Sequence, residues 1–246
     1  MMRTVLMIVC LSMGGVVMGS AAAQDKLETD VIATSAGNLE VAFIGHGTMM
    51  MKFSGKVIHI DPWTQLADYA GQPKADLILV THEHRDHLDV KAVEILRKEN
   101  TVVIAPGIAA QQIKGARVLK NGETATVEWI KIESVPAYNL VHKRDTGVPF
   151  HPKGDGNGYV VTFGDKIVYI AGDTENTPEM RALKGIDIAF LPMNLPFTMT
   201  PEMVADAALA FRPKVLYPYH FGETDTAKMI SLLKDSGIEV RIRKMK

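Results

Sequence analysis

A chain of 246 residues with 47% hydrophobic and 22% charged content has enough apolar material for one large domain or two small ones. Its 27 Lys and Arg against 28 Asp and Glu leave a net charge of -1, which excludes the basic surplus of a nucleic-acid binder. A single cysteine, Cys10, excludes a disulfide framework.

Residues 1–23 stand apart from the rest. Arg3 precedes an apolar stretch from Val5 to Val17, and Ala21, Ala22 and Ala23 follow. This is the layout of a secretory signal peptide cleaved after Ala23, and it predicts a periplasmic or secreted protein. The stretch is short for a membrane span and contains Gly14 and Gly15, so no stable membrane insertion is expected after its removal. Cleavage would also remove Cys10. The mature domain, 24–246, then has no thiol nucleophile, and any metal site must use His, Asp or Glu.

From Leu39 onward short strand-like runs dominate: LEVAFIG (39–45), MMMKFSG (49–55) and, after the Ser54–Gly55 turn signal, KVIHIDP (56–62). ADLILVT (75–81) reads as a strand covered on both faces. LDVKAVEILRKEN (88–100) spaces Leu88, Val90, Val93, Ile95 and Leu96 close to a helical period. TVVIAP (101–106), a short helical piece near 108–113, ARVLK (116–120) and strands within 125–137 follow. Residues 142–158 read as a glycine- and proline-rich loop around His151.

The second half resembles the first. YVVTFGDKIVYIAGDT (159–174) mirrors MMMKFSGKVIHIDPW (49–63): strand, glycine turn, strand, then Asp at the exit. IDIAFLPMN (186–194) mirrors ADLILVTHE (75–83), so Asp61 and Asp76 correspond to Asp173 and Asp187. Two related β-rich halves, facing each other as two sheets, are expected. Thr200 and Pro201 open a helix, with an N-cap hydroxyl and a proline at the first helical position. KVLYPYH (214–220) is a strand ending on His220, TDTAKMISLLKDSG a capped amphipathic helix, and IEVRIRK a last edge strand. Strands mixed with helices, without a long linker, make one layered α/β domain.

The chemistry concentrates where ADLILVT ends. His82, His84, Asp86 and His87 put four ligand-type side chains into six positions just past a strand end, where a rigid sheet holds an exposed loop. His82 and His84 are two apart, so in an extended segment both imidazoles point the same way and serve one cation. Asp86 and His87 follow a turn and face a second. Imidazole nitrogen with carboxylate oxygen suits zinc, and also manganese or iron.

These residues resemble the His-x-His-x-Asp-His signature of the metallo-β-lactamase superfamily. Gly172–Thr174 (GDT) and His220 in YPYHFG resemble its later motifs. The resemblance implies a four-layer αββα sandwich with the site at one edge of the paired sheets. It implies that His82 and His84 bind a first metal, that Asp86, His87 and His220 bind a second, and that Asp173 bridges them. FIGHGT and IHIDPW resemble the branch of broad-specificity metal-dependent hydrolases that includes ascorbate-phosphate lactonase and the N-acyl phosphatidylethanolamine phospholipase D group. His46 and Asp61 match that branch's amino-terminal motif and are expected to support the ligands or the substrate. The chain departs from the pattern in VPAYN, where Asn139 stands at the place of a third-ligand histidine. His151 is favoured as the replacement; His142, the Asn139 oxygen or a one-ion site are the alternatives.

Two divalent ions would activate water near neutral pH, which makes the expected enzyme a hydrolase of an ester, lactone or phosphodiester in a small-molecule substrate. Asp86 would orient that water and take its proton. No GxSxG elbow is present. Trp63, Tyr138, Lys153 and Asn194 are expected on loops rimming the site. The rival reading is a non-catalytic metal-binding protein that retains the fold, to which the missing histidine gives weight. A di-iron oxidoreductase is disfavoured because the chain has no room for a flavin domain, and a β-lactamase proper because the amino-terminal motif points elsewhere.

Overall fold

The structure is a computed structural model and describes residues 27–245; the expected signal peptide lies outside them. The first sheet holds β1 (Glu28–Thr34), β2 (Gly37–Gly45), β3 (Thr48–Phe53), β4 (Lys56–Ile60), β5 (Leu77–Leu79), β6 (Val102–Ala105) and β7 (Arg117–Val118), side by side in chain order. The second holds β8 (Thr124–Val127), β9 (Ile130–Ala137), β10 (Gly156–Phe163), β11 (Lys166–Ile170), β12 (Ile188–Pro192), β13 (Val215–Tyr219) and β14 (Glu239–Val240), likewise in order. In each sheet the first four strands meander antiparallel and the last three join in parallel.

The inner faces of the two sheets share one apolar core, in which Phe43, Met49, Met51 and Ile60 meet Tyr159, Phe163, Phe190 and Tyr217. Phe53 packs edge-on against Phe163 at 5.3 Å, and Phe43 lies 5.4 Å from Tyr217. Helices cover the outer faces. α1 (Val90–Leu96), α2 (Gly107–Gln111) and a 3-10 turn at Tyr69–Gly71 bury Val93, Ala109 and Tyr69 against Ile78, Val80 and Val103 of the first sheet. α3 (Pro178–Arg181), α4 (Pro201–Phe211) and α5 (Thr226–Leu233) bury Met180, Phe211 and Met229 against the second. This is the expected αββα sandwich.

The repeat read from the sequence has a structural counterpart. Asp76 accepts from the Val57 amide at 3.0 Å, and Asp187 accepts from the Ile167 amide at 2.9 Å. Each aspartate thus pins the start of one parallel strand to the strand beside it. Four features depart from the expectations. β1 was not anticipated: it is an edge strand with one side half-open, so its apolar alternation is faint. The helix expected over 88–100 is shorter, because Asp89 caps it through the Lys91 and Ala92 amides and Arg97 returns to extended backbone. The loop 142–158 gives its last residues to β10. α3 is a single turn, too short for a periodic signal.

Candidate metal centre

β2, β4 and β5 run toward one edge of the first sheet, and β9, β11 and β13 toward the same edge of the second. The residues just beyond these strand ends are His46, Asp61, His82, Asn139, Asp173 and His220. Backbone conformation helps to aim them. His46, Asp61 and His220 hold φ of 52°, 44° and 46°, a left-handed region in which side chains other than glycine are strained. Such strain persists where surrounding structure over-determines it and clusters at functional sites. The His220 amide donates to the His46 carbonyl at 3.0 Å, tying the two sheets together at this edge. Gly172, with φ of 66°, lets the GDT turn pass under the first sheet; a Cβ there would sit 2.8 Å from the Asn157 carbonyl and 3.0 Å from Thr81.

Three donor groups converge. His82, His84 and His151 form one, His46, Asp86, His87 and His220 a second, and His82, His87 and Asp173 a third between them. Asp173 Oδ2 lies 3.4 Å from His151 Nε2, 3.4 Å from His220 Nε2 and 4.0 Å from His82 Nε2, and Asp173 Oδ1 lies 3.5 Å from His87 Nε2. These gaps are long for charge-assisted hydrogen bonds. Two ligands of one tetrahedral zinc, each about 2.0–2.1 Å from the ion, stand about 3.3 Å apart. His82 Nε2, His87 Nε2, His220 Nε2 and Asp173 Oδ1 are buried polar atoms without a hydrogen-bond partner, a costly arrangement that a shared cation would satisfy. The donor set fits a divalent metal.

The other ring nitrogens are engaged, which fixes the tautomers. His87 Nδ1 donates to Asp61 at 2.8 Å, His82 Nδ1 to Thr81 Oγ1 at 3.0 Å, and His151 Nδ1 to Asn139 Oδ1 at 2.6 Å. Asp61 also accepts from the Thr81 amide and hydroxyl at 2.7 and 2.6 Å. Asn194 meets His220 Nδ1 at 3.2 Å. Asp61, Thr81 and Asn139 aim the Nε2 atoms of His87, His82 and His151 at the centre, whereas the Asn194 amide nitrogen donates to His220 Nδ1. His46 Nε2 bonds Asp86 Oδ2 at 2.9 Å and its ring packs 3.6 Å from that of His220, so it supports one carboxylate and one imidazole.

Burial and charge set the protonation. Burial, and then the charge on His87, push the His82 pKa well below its usual value, and burial brings His151 down to about 4 despite Asp173. Burial opposes the charged form of His87, yet Asp173 and Asp61 outweigh it and raise this group to about 9. For Asp173, burial is likewise overcome by the surrounding histidines, His220 and His87 foremost, which hold the carboxyl low. Burial also opposes ionisation of Asp86, but the nearby His220, with Nε2 3.6 Å away, and the His46 hydrogen bond outweigh it and hold the carboxyl low.

Every residue expected at the site is at this edge, but not all in the same capacity. Asn139 does not reach inward as a ligand. Its oxygen accepts from the His151 amide at 2.9 Å and from the His151 ring, so it stands behind that histidine. His142 is turned away, with Nδ1 2.7 Å from Glu175. Of the four expected rim residues, Asn194 lines the cleft. Trp63 packs behind His46 at 5.5 Å, and Tyr138 and Lys153 pair with Glu179 instead, at 2.9 and 2.7 Å. Sequence reasoning missed Glu175. This buried carboxylate accepts from the amides of Leu140, Val141 and His142 at 2.6, 2.7 and 2.7 Å and fastens the loop that leads to His151. Burial raises its pKa, but those amides win and hold it below the usual range. Its one sequence signal is its place directly after GDT.

Residues 40–220 match the family model for the beta-lactamase superfamily domain. A UPF0173 metal-dependent hydrolase from Thermococcus kodakarensis is 34% identical, over 74% of this chain and 84% of its own. The chain belongs to the metallo-β-lactamase superfamily, among its metal-dependent hydrolases. A crystal structure from Parabacteroides distasonis is similar at 48% identity with a TM-score of 0.86, covering 90% of this chain and 100% of that one. The metallo hydrolase Igni18 from Ignicoccus hospitalis is similar at 27% identity with a TM-score of 0.67, covering 84% and 95%. For a metallo-β-lactamase-fold chain, strand ends gathered at one edge of the paired sheets are the expected seat of function, and the donor groups described above occupy that edge.

Proposed function

We propose that this hydrolase is exported, holds two divalent cations, and cleaves an ester, lactone or phosphodiester bond in a small molecule by attack of water. Zinc suits the donor chemistry, with manganese or iron as alternatives. His82, His84 and His151 would hold one ion, and Asp86, His87 and His220 the other, with the Asp173 carboxylate between them. A bound cation of this kind brings a coordinated water toward a pKa of about 7 and polarises the substrate's oxygen. The chain's own contribution is to aim the Nε2 atoms of His87, His82 and His151 at the centre through the Nδ1 contacts of Asp61, Thr81 and Asn139. Asp86, held by His46 and open to the cleft, orients the attacking water and takes its proton. Export rests on the signal-like layout of residues 1–23.

The observation that carries this reading is Asp173 Oδ2 at 3.4 Å from both His151 and His220, which come from loops 69 residues apart in sequence. The non-catalytic alternative leaned on the absent third histidine. His151 grouped with His82 and His84 weighs against that alternative. The test is metal analysis of the purified protein together with turnover of bis-p-nitrophenyl phosphate and simple lactones. Two cations per chain with turnover, both lost in Asp173→Ala, is the expected result. A single tightly held ion without turnover of any of these substrates would refute it.

A further inference from the structure

The cleft over the centre has a volume of about 510 Å³, and two arginines, Arg85 and Arg144, line it beside the donor residues. Neither forms an ion pair among the described residues, and both are exposed at the surface of the cleft. Arg144 is held in place by its loop. Its amide donates to the Val148 carbonyl at 2.8 Å, the Gly147 amide returns to the Arg144 carbonyl at 2.8 Å, and Lys143 bridges to Pro149. One end of this loop is fastened by Glu175 and the other by the Asn139–His151 pair. The guanidinium lies 5.3 Å from the Phe150 ring centre and uses Nη2 twice, toward the Phe150 carbonyl at 3.2 Å and toward His84 Nε2 at 3.4 Å. Among the described residues Nε and Nη1 have no partner.

Resting on the hydrolase reading, we propose that the substrate carries an anionic group, a carboxylate or a phosphate, at or beside its scissile bond, and that Arg144, aided by Arg85, binds it. A fixed cation within reach of His84 repels a metal ion held by that histidine, and among the described residues neither arginine is paired with a carboxylate of the protein. An oxyanion reaching in with the substrate offsets that repulsion. The free Nε and Nη1 groups can each still donate a charge-assisted hydrogen bond to a carboxylate or phosphate oxygen. The wall beside it is apolar: Phe150 and Phe197 meet edge to face at 5.1 Å, and Phe197 is 42% exposed. It supplies no competing charge and suits a hydrocarbon portion of the same molecule.

The test compares wild type, Arg144→Gln and Arg144→Lys, all loaded with zinc, with Lys143→Gln as the control. Three substrates are used: p-nitrophenyl glutarate monoester, bis-p-nitrophenyl phosphate and neutral p-nitrophenyl valerate. Arg144→Gln should lose about 10- to 100-fold in kcat/KM on the matching anionic substrate, chiefly through KM, and stay within about twofold on valerate. Arg144→Lys should recover part of the loss, and Lys143→Gln should behave as wild type. Which anionic substrate responds tells carboxylate from phosphate. Calorimetric titration with succinate and inorganic phosphate gives a readout that needs no turnover: one of them should bind at least tenfold more weakly to Arg144→Gln. Preference of the wild type for valerate, an equal loss on all three substrates, or unchanged affinity for both anions would overturn the proposal. If the wild type binds metal but hydrolyses nothing, the hydrolase reading fails, while the two titrations still decide the role of Arg144.

Discussion

Asn139 departs from a family pattern at one residue and stands behind a histidine at the same edge. Where the superfamily resemblance led to the expectation of a histidine, its amide oxygen takes both the ring proton and the backbone proton of His151. A histidine from a loop thus reaches the position through a partner on the strand end. Removing such a partner from behind a ligand typically costs 10- to 100-fold in metal affinity. Asn139→Ala is therefore expected to weaken metal binding by about that factor, read by chelator competition, with an unchanged far-UV circular dichroism spectrum; equal affinity would separate His151 from the centre. The cluster 82–87 was legible because its four donors are contiguous and close a strand. Glu175 and Arg144 were not, since each acts only after a loop folds back on the sheet edge, and no spacing in the chain encodes that approach.

Among the elements, the strands read most clearly. Wholly apolar runs such as β12 are buried on both faces, and β13 keeps one partly buried residue only at its start. β1 was hidden because half its residues face outward, and its place is secured by something periodicity does not carry: Asp30 pairs with Arg243 at 2.8 Å and with the Tyr217 hydroxyl, joining an amino-terminal edge strand to the carboxyl terminus. β4 carries a different burden. Its His59 is buried, bonds the Pro73 carbonyl at 3.0 Å and has a pKa pushed down to about 4 by burial. In the unfolded chain this group takes a proton near pH 6.5, so the folded state loses stability as the pH falls from about 6.5 toward 4. Between pH 7 and pH 5 the loss is about 2 kcal/mol. His59→Leu should shed that portion of the acid sensitivity, so the difference in stability between variant and wild type should shift by about this amount in urea titrations at the two pH values. A constant difference would mean that His59 is protonated in the folded protein.

For the molecule as a whole, the donors divide between the sheets. His82, His84, Asp86 and His87 follow β5 of the first, and His151, Asp173 and His220 belong to loops of the second. Cations held there would connect two layers that otherwise meet mainly through apolar packing and a few polar ties such as the His220–His46 backbone bond. At a free metal concentration a thousandfold above Kd, binding to the folded state alone adds about 4 kcal/mol. Stripping the metal should therefore lower Tm by roughly 10 °C in a chain of this size, measured by calorimetry with and without chelator. The fold was legible at this scale because the same motif order appears twice, and the second aspartate of each pair that marked it, Asp76 or Asp187, pins an equivalent strand start. The symmetry has a further consequence. A lone half would expose the greasy side of its sheet and carry an incomplete set of donors. Placing two halves back to back cures both defects in one event, so the seam that shields the interior is also the seam that completes the centre, and neither half can be exchanged without dismantling both.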